Sequence, residues 1–236
     1  MSPWHGHLPL ALWIMEAAEP SIFVELGTHK GDSYAAFCQS VQEHGLASSC
    51  YAVDSWMGDE HSGLYGEDVY QELFVYNQRR FGTFSTLLRM MFEDALNYFD
   101  DGTIDLLHID GYHTYEAMRD DFAKWLPKLS GRGIVLFHDV AVRERGFGVW
   151  RFWHEISEQY PSVTFTHSNG LGLLGVGEEI PSRVRLMIEA YQKDPASVTG
   201  LAAALGARCQ LLGQNAVLRS TEEQLRAQVA EQATKV

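Results

Sequence analysis

Short apolar runs alternate with amphipathic stretches from residue 21 onward, and this alternation restricts the chain more than any other feature. A strand buried on both faces reads as a nearly continuous apolar run, whereas the crossover joining two parallel strands reads with helical period. Repeating the two patterns predicts an α/β fold, a mostly parallel sheet with helices on its faces. The apolar runs place strands at 21–26, 50–53, 84–90, 104–109, 133–137, 164–167 and 171–176, with helices filling most intervals. The last two runs flank Ser168-Asn169-Gly170, and Asn-Gly suits a turn with positive φ, so an antiparallel hairpin is expected at the sheet's edge. At 236 residues the chain has room for one such domain and an appendage.

The segments outside the pattern are informative too. Residues 57–70, MGDEHSGLYGEDVY, follow neither period and are expected to form a surface loop or lid, with Trp56, Asp59 and His61 in or beside it. Beyond Gly177 the text turns Ala-, Gln- and Glu-rich, which suggests a domain over 1–178 and a helical tail or linker over 179–236. Leu211, Leu218 and Leu225 recur every seven residues, but Asn215, Glu222 and Gln232 interrupt the seam. Oligomerisation through the tail and fusion to a further domain are both compatible with it. The stripe Val149, Phe152, Trp153 and Ile156 has the spacing of a helix packed on a core.

Composition narrows the function classes. A hydrophobic fraction of 46% argues for a packed globular core. Thirty-one acidic against 18 basic side chains, a formal charge of −13, argue against a broad nucleic-acid surface. No apolar run approaches the roughly 20 residues of a transmembrane helix. The first twenty residues lack Lys and Arg, so no signal peptide is expected either. Cys38, Cys50 and Cys209 have no metal or disulfide spacing, and a reducing cytoplasm is the expected location.

Three motifs stand where strands end. Glu25-Leu26-Gly27-Thr28-His29-Lys30-Gly31 links the first strand to a helix. Its glycines allow a sharp turn and close approach to a ligand, and the helix start offers free N–H groups. The spacing fits neither the dinucleotide G-x-G-x-x-G nor a P-loop, in which Lys follows the last Gly. An ordinary strand-to-helix turn would read the same way. Asp54 ends the second strand, where an acid can accept both hydroxyl protons of a ribose. Asp110 and Asp139 end the strands IDLLHID and GIVLFHD, so their carboxylates would converge in the crevice where open α/β sheets bind ligands. Paired carboxylates suit Mg²⁺ or another hard divalent cation, and nearby His113 titrates where a general base works best. Each Asp could instead cap the helix that follows. His108 has the setting of a core histidine and His138 that of a structural one, while Arg143 and Arg145 follow Asp139 closely enough to reach a substrate.

Taken together, ELGTHKG, AVDSW, DLLHIDGYHTYEAMRDDF and GIVLFHD resemble the class I S-adenosylmethionine-dependent methyltransferases in order and spacing. Within them the chain is similar to the metal-dependent O-methyltransferases that include macrolide-sugar methyltransferases and domains accompanying bacterial glycosyltransferases. The likeness spans about residues 20–177. It implies a Rossmann-like, mostly parallel seven-stranded sheet. Glu25, Gly27, Thr28, Gly31, Asp54 and Ser55 would surround S-adenosylmethionine, Asp110 and Asp139 would hold the metal, and His113 would be the catalytic base. Catechol methyltransferases of this framework carry Lys at the position of His113, so the histidine favours a sugar or glycan hydroxyl as acceptor. Two positions depart from the pattern: His29, where relatives often have Tyr, and Phe92, where many have a small polar residue near the adenine. A phenol or catechol acceptor and a non-catalytic scaffold in glycan assembly are the competing readings. The glycine spacing disfavours a nicotinamide oxidoreductase.

Overall fold

The computed structural model describes residues 2–59, 63–144 and 146–233, with side chains as far as residue 226 and excluding that of Asp59. A short 3-10 turn, Pro3–Gly6, leads into helix α1 (Leu8–Ala18) and strand β1 (Ile22–Leu26). Helix α2 (Asp32–His44) and strand β2 (Ser49–Asp54) follow, then a two-stranded ribbon of β3 (Gly58–Asp59) and β4 (Gly63–Leu64). Next come α3 (Glu67–Arg80), β5 (Ser85–Arg89), α4 (Phe92–Ala95), β6 (Ile104–Ile109) and α5 (Tyr115–Trp125). The chain continues through β7 (Leu129–His138), α6 (Val149–Ser157), β8 (Ser162–Phe165), β9 (Leu171–Gly175), α7 (Ser182–Lys193) and the long α8 (Pro195–Ala233).

Seven strands form one Rossmann-like sheet in the order β5-β2-β1-β6-β7-β9-β8. The first five are parallel, whereas β9 runs antiparallel to both β7 and β8. The expected hairpin therefore exists, and its turn holds Ser168, Asn169 and Gly170 at φ of 51°, 69° and 93°. Its loop is longer than a two-residue turn: the last pair is Phe165 with Leu171, so β8 ends two residues before the expected 167. Strand β7 begins four residues before the expected 133, because the pairing jumps from Ile104–Leu129 to Leu106–Ile134 through a bulge. The irregular segment 57–70 divides between the β3–β4 ribbon and the first turn of α3, while His61 lies outside the described residues.

Side chains alternate across the buried strands and feed two apolar layers. Phe23, Leu106, Ile134 and Leu136 face α1, α2 and α7, with Trp4, Phe37, Val184 and Ile188. Val24, Leu107, Val135 and Phe137 face α5 and α6, with Phe122, Trp125, Phe152 and Trp153. The stripe on α6 is thus core. The start of α8 joins the first layer through Ala202, whereas residues 211–226 stand exposed. Among the described residues no helix is long and apolar enough to cross a membrane.

Strand order reverses between β1 and β6, and a crevice must open there because the loops after these strands turn to opposite sides.

Candidate active site

A cavity of about 740 Å³ opens above the carboxyl ends of β2, β1, β6 and β7. Gly27, Thr28, Asp54, Ser55, Asp110, His113 and Asp139 all line it. Glu25 and Gly31, named with them from the sequence, lie behind its wall.

Gly27 has φ +86°, and a Cβ there would lie 2.1 Å from the Asp110 carbonyl oxygen, so the chain needs glycine to run this close to the end of β6. Gly31 has φ +83°, and its missing side chain leaves room for Leu73 of α3. Asp54 ties the loop between them to the end of β2. Its Oδ2 accepts the N–H groups of Thr28 and His29, each at 2.9 Å, and its Oδ1 accepts that of Trp56 at 2.7 Å. Glu25 is fully buried and accepts hydrogen bonds from Ser33 Oγ at 2.5 Å and Thr28 Oγ1 at 3.3 Å. Burial raises its pKa, and the bonds from His108 and Ser33 oppose the rise. His108 Nδ1 is 2.9 Å from Glu25, so this core histidine braces the carboxylate from below.

Toward β7 the acidic groups gather. Asp110, His113 and Asp139 each present a ligand atom within 4.8 Å of the others. His113 Nε2 lies 3.0 Å from Asp139 Oδ2 and 3.7 Å from Asp110 Oδ1, and its ring stacks on Phe147 at 4.4 Å. His138 Nδ1 is 3.3 Å from Asp110 Oδ1. Burial would drive all these groups toward neutrality, but mutual attraction wins. Against burial, the carboxylates raise His113 to about 9 and His138 to about 10. The imidazoles in turn hold Asp110 well below the usual carboxylate range and Asp139 at about 2.

Helix capping does not explain the two aspartates. Thr114 caps α5 through its hydroxyl, and Gly148 precedes α6 without a side-chain cap. Asp139 instead holds a left-handed φ of +61°, an uncommon conformation that aims its carboxylate at His113. Its Oδ1 is buried without a hydrogen-bond donor. Two carboxylates, one with a buried oxygen that accepts no hydrogen bond and has His138 Nδ1 3.5 Å away, beside an imidazole make a donor set that fits a hard divalent cation.

At the opposite end, beyond Asp54, the wall is built by Met90, Met91, Phe92, Gly111, Ala117 and Asp121. A Cβ on Gly111 would strike the Phe92 ring at 2.5 Å, so glycine keeps this end open. His29 stacks on Tyr65 at 4.4 Å over the near side. Arg143 is exposed and lies over Trp150 at 4.5 Å, outside the cavity, and Arg145 is outside the described residues. Ser2, Pro3, Trp4 and Asn169 also line the cavity, and sequence reasoning passed over them. No local motif marks them; only the folding of the N-terminal turn and the β8–β9 hairpin onto the end of β7 brings them in.

Comparison with known proteins bears on the fold that frames this cavity. Residues 24–140 match a family model described as "Methyltransferase domain". An uncharacterized protein of Sinorhizobium fredii, y4gI, is 49% identical over 179 residues, 76% of this chain but 20% of that protein, so the chain spans about one fifth of its relative. The O-methyltransferase TomG from Streptomyces achromogenes, involved in tomaymycin synthesis and solved with S-adenosylmethionine, superposes with a TM-score of 0.55 at 13% identity. That match covers 72% of this chain and 79% of TomG. Cofactor-bound Rv0187 from MTB gives 0.57 at 14% identity, covering 76% and 82%. At such identities the likeness is one of fold.

Proposed function

We propose that residues 24–140, which match a methyltransferase-domain model, form a class I S-adenosylmethionine-dependent domain that works as a metal-dependent O-methyltransferase whose acceptor is a hydroxyl of a sugar or glycan. The observation that carries the reading is the convergence of Asp110, His113 and Asp139 in the same cavity as Gly27 and Asp54.

S-adenosylmethionine supplies a methyl group on a sulfonium, which passes to the acceptor oxygen as the carbon–sulfur bond breaks. Gly27 and Thr28 leave room for its amino-acid end, and Asp54, three of whose roughly four lone pairs take the loop N–H groups, keeps one on Oδ1 for a ribose hydroxyl. Asp110 and Asp139 are the ligands proposed for Mg²⁺, which would supply positive charge beside the acceptor and lower the pKa of its hydroxyl.

His113 would hold the acceptor proton on Nε2. With a pKa near 9 its ring is a cation at neutral pH and cannot take up a proton. A cation held by Asp110 and Asp139 would offset the attraction that raises the ring, and His113 would then accept a proton as a neutral base. Alignment of acceptor and methyl group supplies most of the remaining effect.

The test is calorimetric titration with S-adenosylmethionine and S-adenosylhomocysteine, with Mg²⁺ and then with EDTA, followed by a methylation panel of sugars against catechols. Micromolar cofactor binding that is lost in Asp54→Ala supports the cofactor assignment, and no binding under any condition overturns it. Transfer to catechols alone overturns the sugar assignment. Undiminished transfer in EDTA removes the metal.

A further inference from the structure

The N-terminal turn and the long C-terminal helix are far apart in sequence, and neither belongs to the motifs above, yet they meet directly behind the acidic end of the cavity. Trp4 is 3% exposed and stacks on His138 with centroids 5.6 Å apart and planes 29° apart. It also meets the edge of His108 at 5.0 Å. His138 Nδ1 borders both carboxylates, 3.3 Å from Asp110 Oδ1 and 3.5 Å from Asp139 Oδ1. The indole therefore fixes one face of the imidazole that orients the carboxylate pair.

The turn is held from behind by the β8–β9 hairpin and by α8. A ring nitrogen of His167 lies 3.2 Å from the Gly6 carbonyl, and His7 Nε2 lies 3.1 Å from the Ser168 carbonyl. Gln210 Nε2 of α8 donates to Ser168 Oγ at 3.4 Å. Two glycines make close approach possible. A Cβ on Gly206 would lie 2.0 Å from the Gly6 carbonyl oxygen, and one on Gly6 would lie 1.9 Å from Ser168 Oγ. At Gly206 a larger residue must move the backbone of the turn, whereas at Gly6 it must displace the Ser168 side chain. By contrast Gly200, between one and two turns earlier on the same helix, has open space around it.

We propose that α8 is a positioning element of the metal side of the site: its contact at Gly206 sets the N-terminal turn, Trp4 of that turn fixes His138, and His138 fixes Asp110 and Asp139. The inference rests on the divalent-cation reading above. It makes the tail helix part of the catalytic apparatus, in addition to any role as a linker. The loss of groups that orient metal ligands typically costs about 10–100-fold in metal affinity. A displaced indole acts one step further out and falls at the low end of that range.

The experiment uses the full chain and two probes, Mn²⁺ followed by electron paramagnetic resonance and S-adenosylhomocysteine followed by calorimetry in EDTA. Gly206→Leu and Trp4→Leu are expected to weaken Mn²⁺ binding about tenfold, with S-adenosylhomocysteine affinity within about twofold of wild type. Gly200→Leu is expected to change neither, and Trp4→Phe, which keeps a ring against His138, to recover most of the loss. Mn²⁺ affinity within about twofold of wild type in both Gly206→Leu and Trp4→Leu overturns the proposal. So does parallel loss of both probes, which reports general loosening of the fold. If Gly206→Leu does not fold, the Trp4 pair decides alone. Wild-type protein that takes up no Mn²⁺ overturns the cation reading and this inference with it, and is recognised because every variant then behaves alike.

Discussion

Asp121 is in a different position from the other acids of the cavity. It faces inward from α5 beside Phe92 and Gly111, and among the described residues no hydrogen bond reaches its carboxylate. Burial pushes it up to about 7, with Lys124 pulling the other way and Asp120 adding to the rise. A folded-state pKa above the unfolded value means that the folded chain prefers the protonated form. The stability from that preference is complete below about 3.9, the unfolded pKa, and is lost as pH rises through 7. Asp121→Asn replaces the carboxylate with a neutral group of the same shape. It is expected to stabilise the protein at pH 8 by about 1–2 kcal/mol once solvent screening of a half-buried group is allowed for, and by almost nothing at pH 4. Thermal melts of both proteins at the two pH values test this. A variant less stable than wild type at pH 8 would mean that attraction to Lys124 outweighs burial. The same contrast explains which site residues could be read from the sequence. Asp54, Asp110 and Asp139 end strands, and strand ends in a parallel sheet share one edge, so their meeting follows from the apolar pattern. Trp4 and Asp121 reach the cavity through packing of a turn and a helix face, which leaves no periodic trace.

The elements themselves obey the apolar pattern wherever ladder pairing is regular and depart from it where backbone geometry takes over. All seven strands were placed by their runs; the errors at β7 and β8 arise from a bulge and from left-handed turn residues, both set by hydrogen bonding and not by hydrophobicity. The turn after β1 shows how strict such geometry can be. Asp110 N–H donates to the Leu26 carbonyl at 2.8 Å, which draws the ends of β1 and β6 together over Gly27. A methyl group there must both occupy a left-handed φ and push the Asp110 carbonyl away. Gly45, which ends α2 at φ +61°, has open space, so alanine there meets the backbone penalty alone. Gly45→Ala is expected to cost about 1–2 kcal/mol and Gly27→Ala about 3 kcal/mol or more. Urea denaturation of the two variants checks the order. Equal costs would show that β1 and β6 part freely at this point, and the close approach would then have no part in holding Asp110.

For the whole molecule the question is where the folded body ends. Composition changes after Gly177, but Ile180, Val184, Ile188 and Ala202 are buried in the same layer as α1, with Met187, Tyr191 and Val198 packed against them. Burying a large aliphatic side chain contributes about 1.5–3 kcal/mol, so Ile180, Val184 and Ile188 together represent several kcal/mol. That is a large share of the roughly 5–15 kcal/mol by which a domain is stable. From residue 211 to 226, in contrast, every side chain is exposed, including Leu211, Leu212, Val217, Leu218 and Leu225. A chain ending at residue 212 keeps the buried contacts and the Gly206 joint, and its melting temperature is expected within about 2 °C of the full chain, since a ΔΔG of 1 kcal/mol moves a domain of this size by about 2–4 °C. A chain ending at 178 exposes the underside of α1 and is expected to melt at least about 10 °C lower, or without cooperativity. Parallel melts of the two shortened chains separate the cases. Should the chain ending at 178 melt with the full protein, α7 and α8 would be accessories resting on a self-sufficient sheet. Should the chain ending at 212 fall as far as the other, the exposed half of α8 must be stabilising the fold through contacts between copies, and its seven-residue leucine repeat would be the surface to examine.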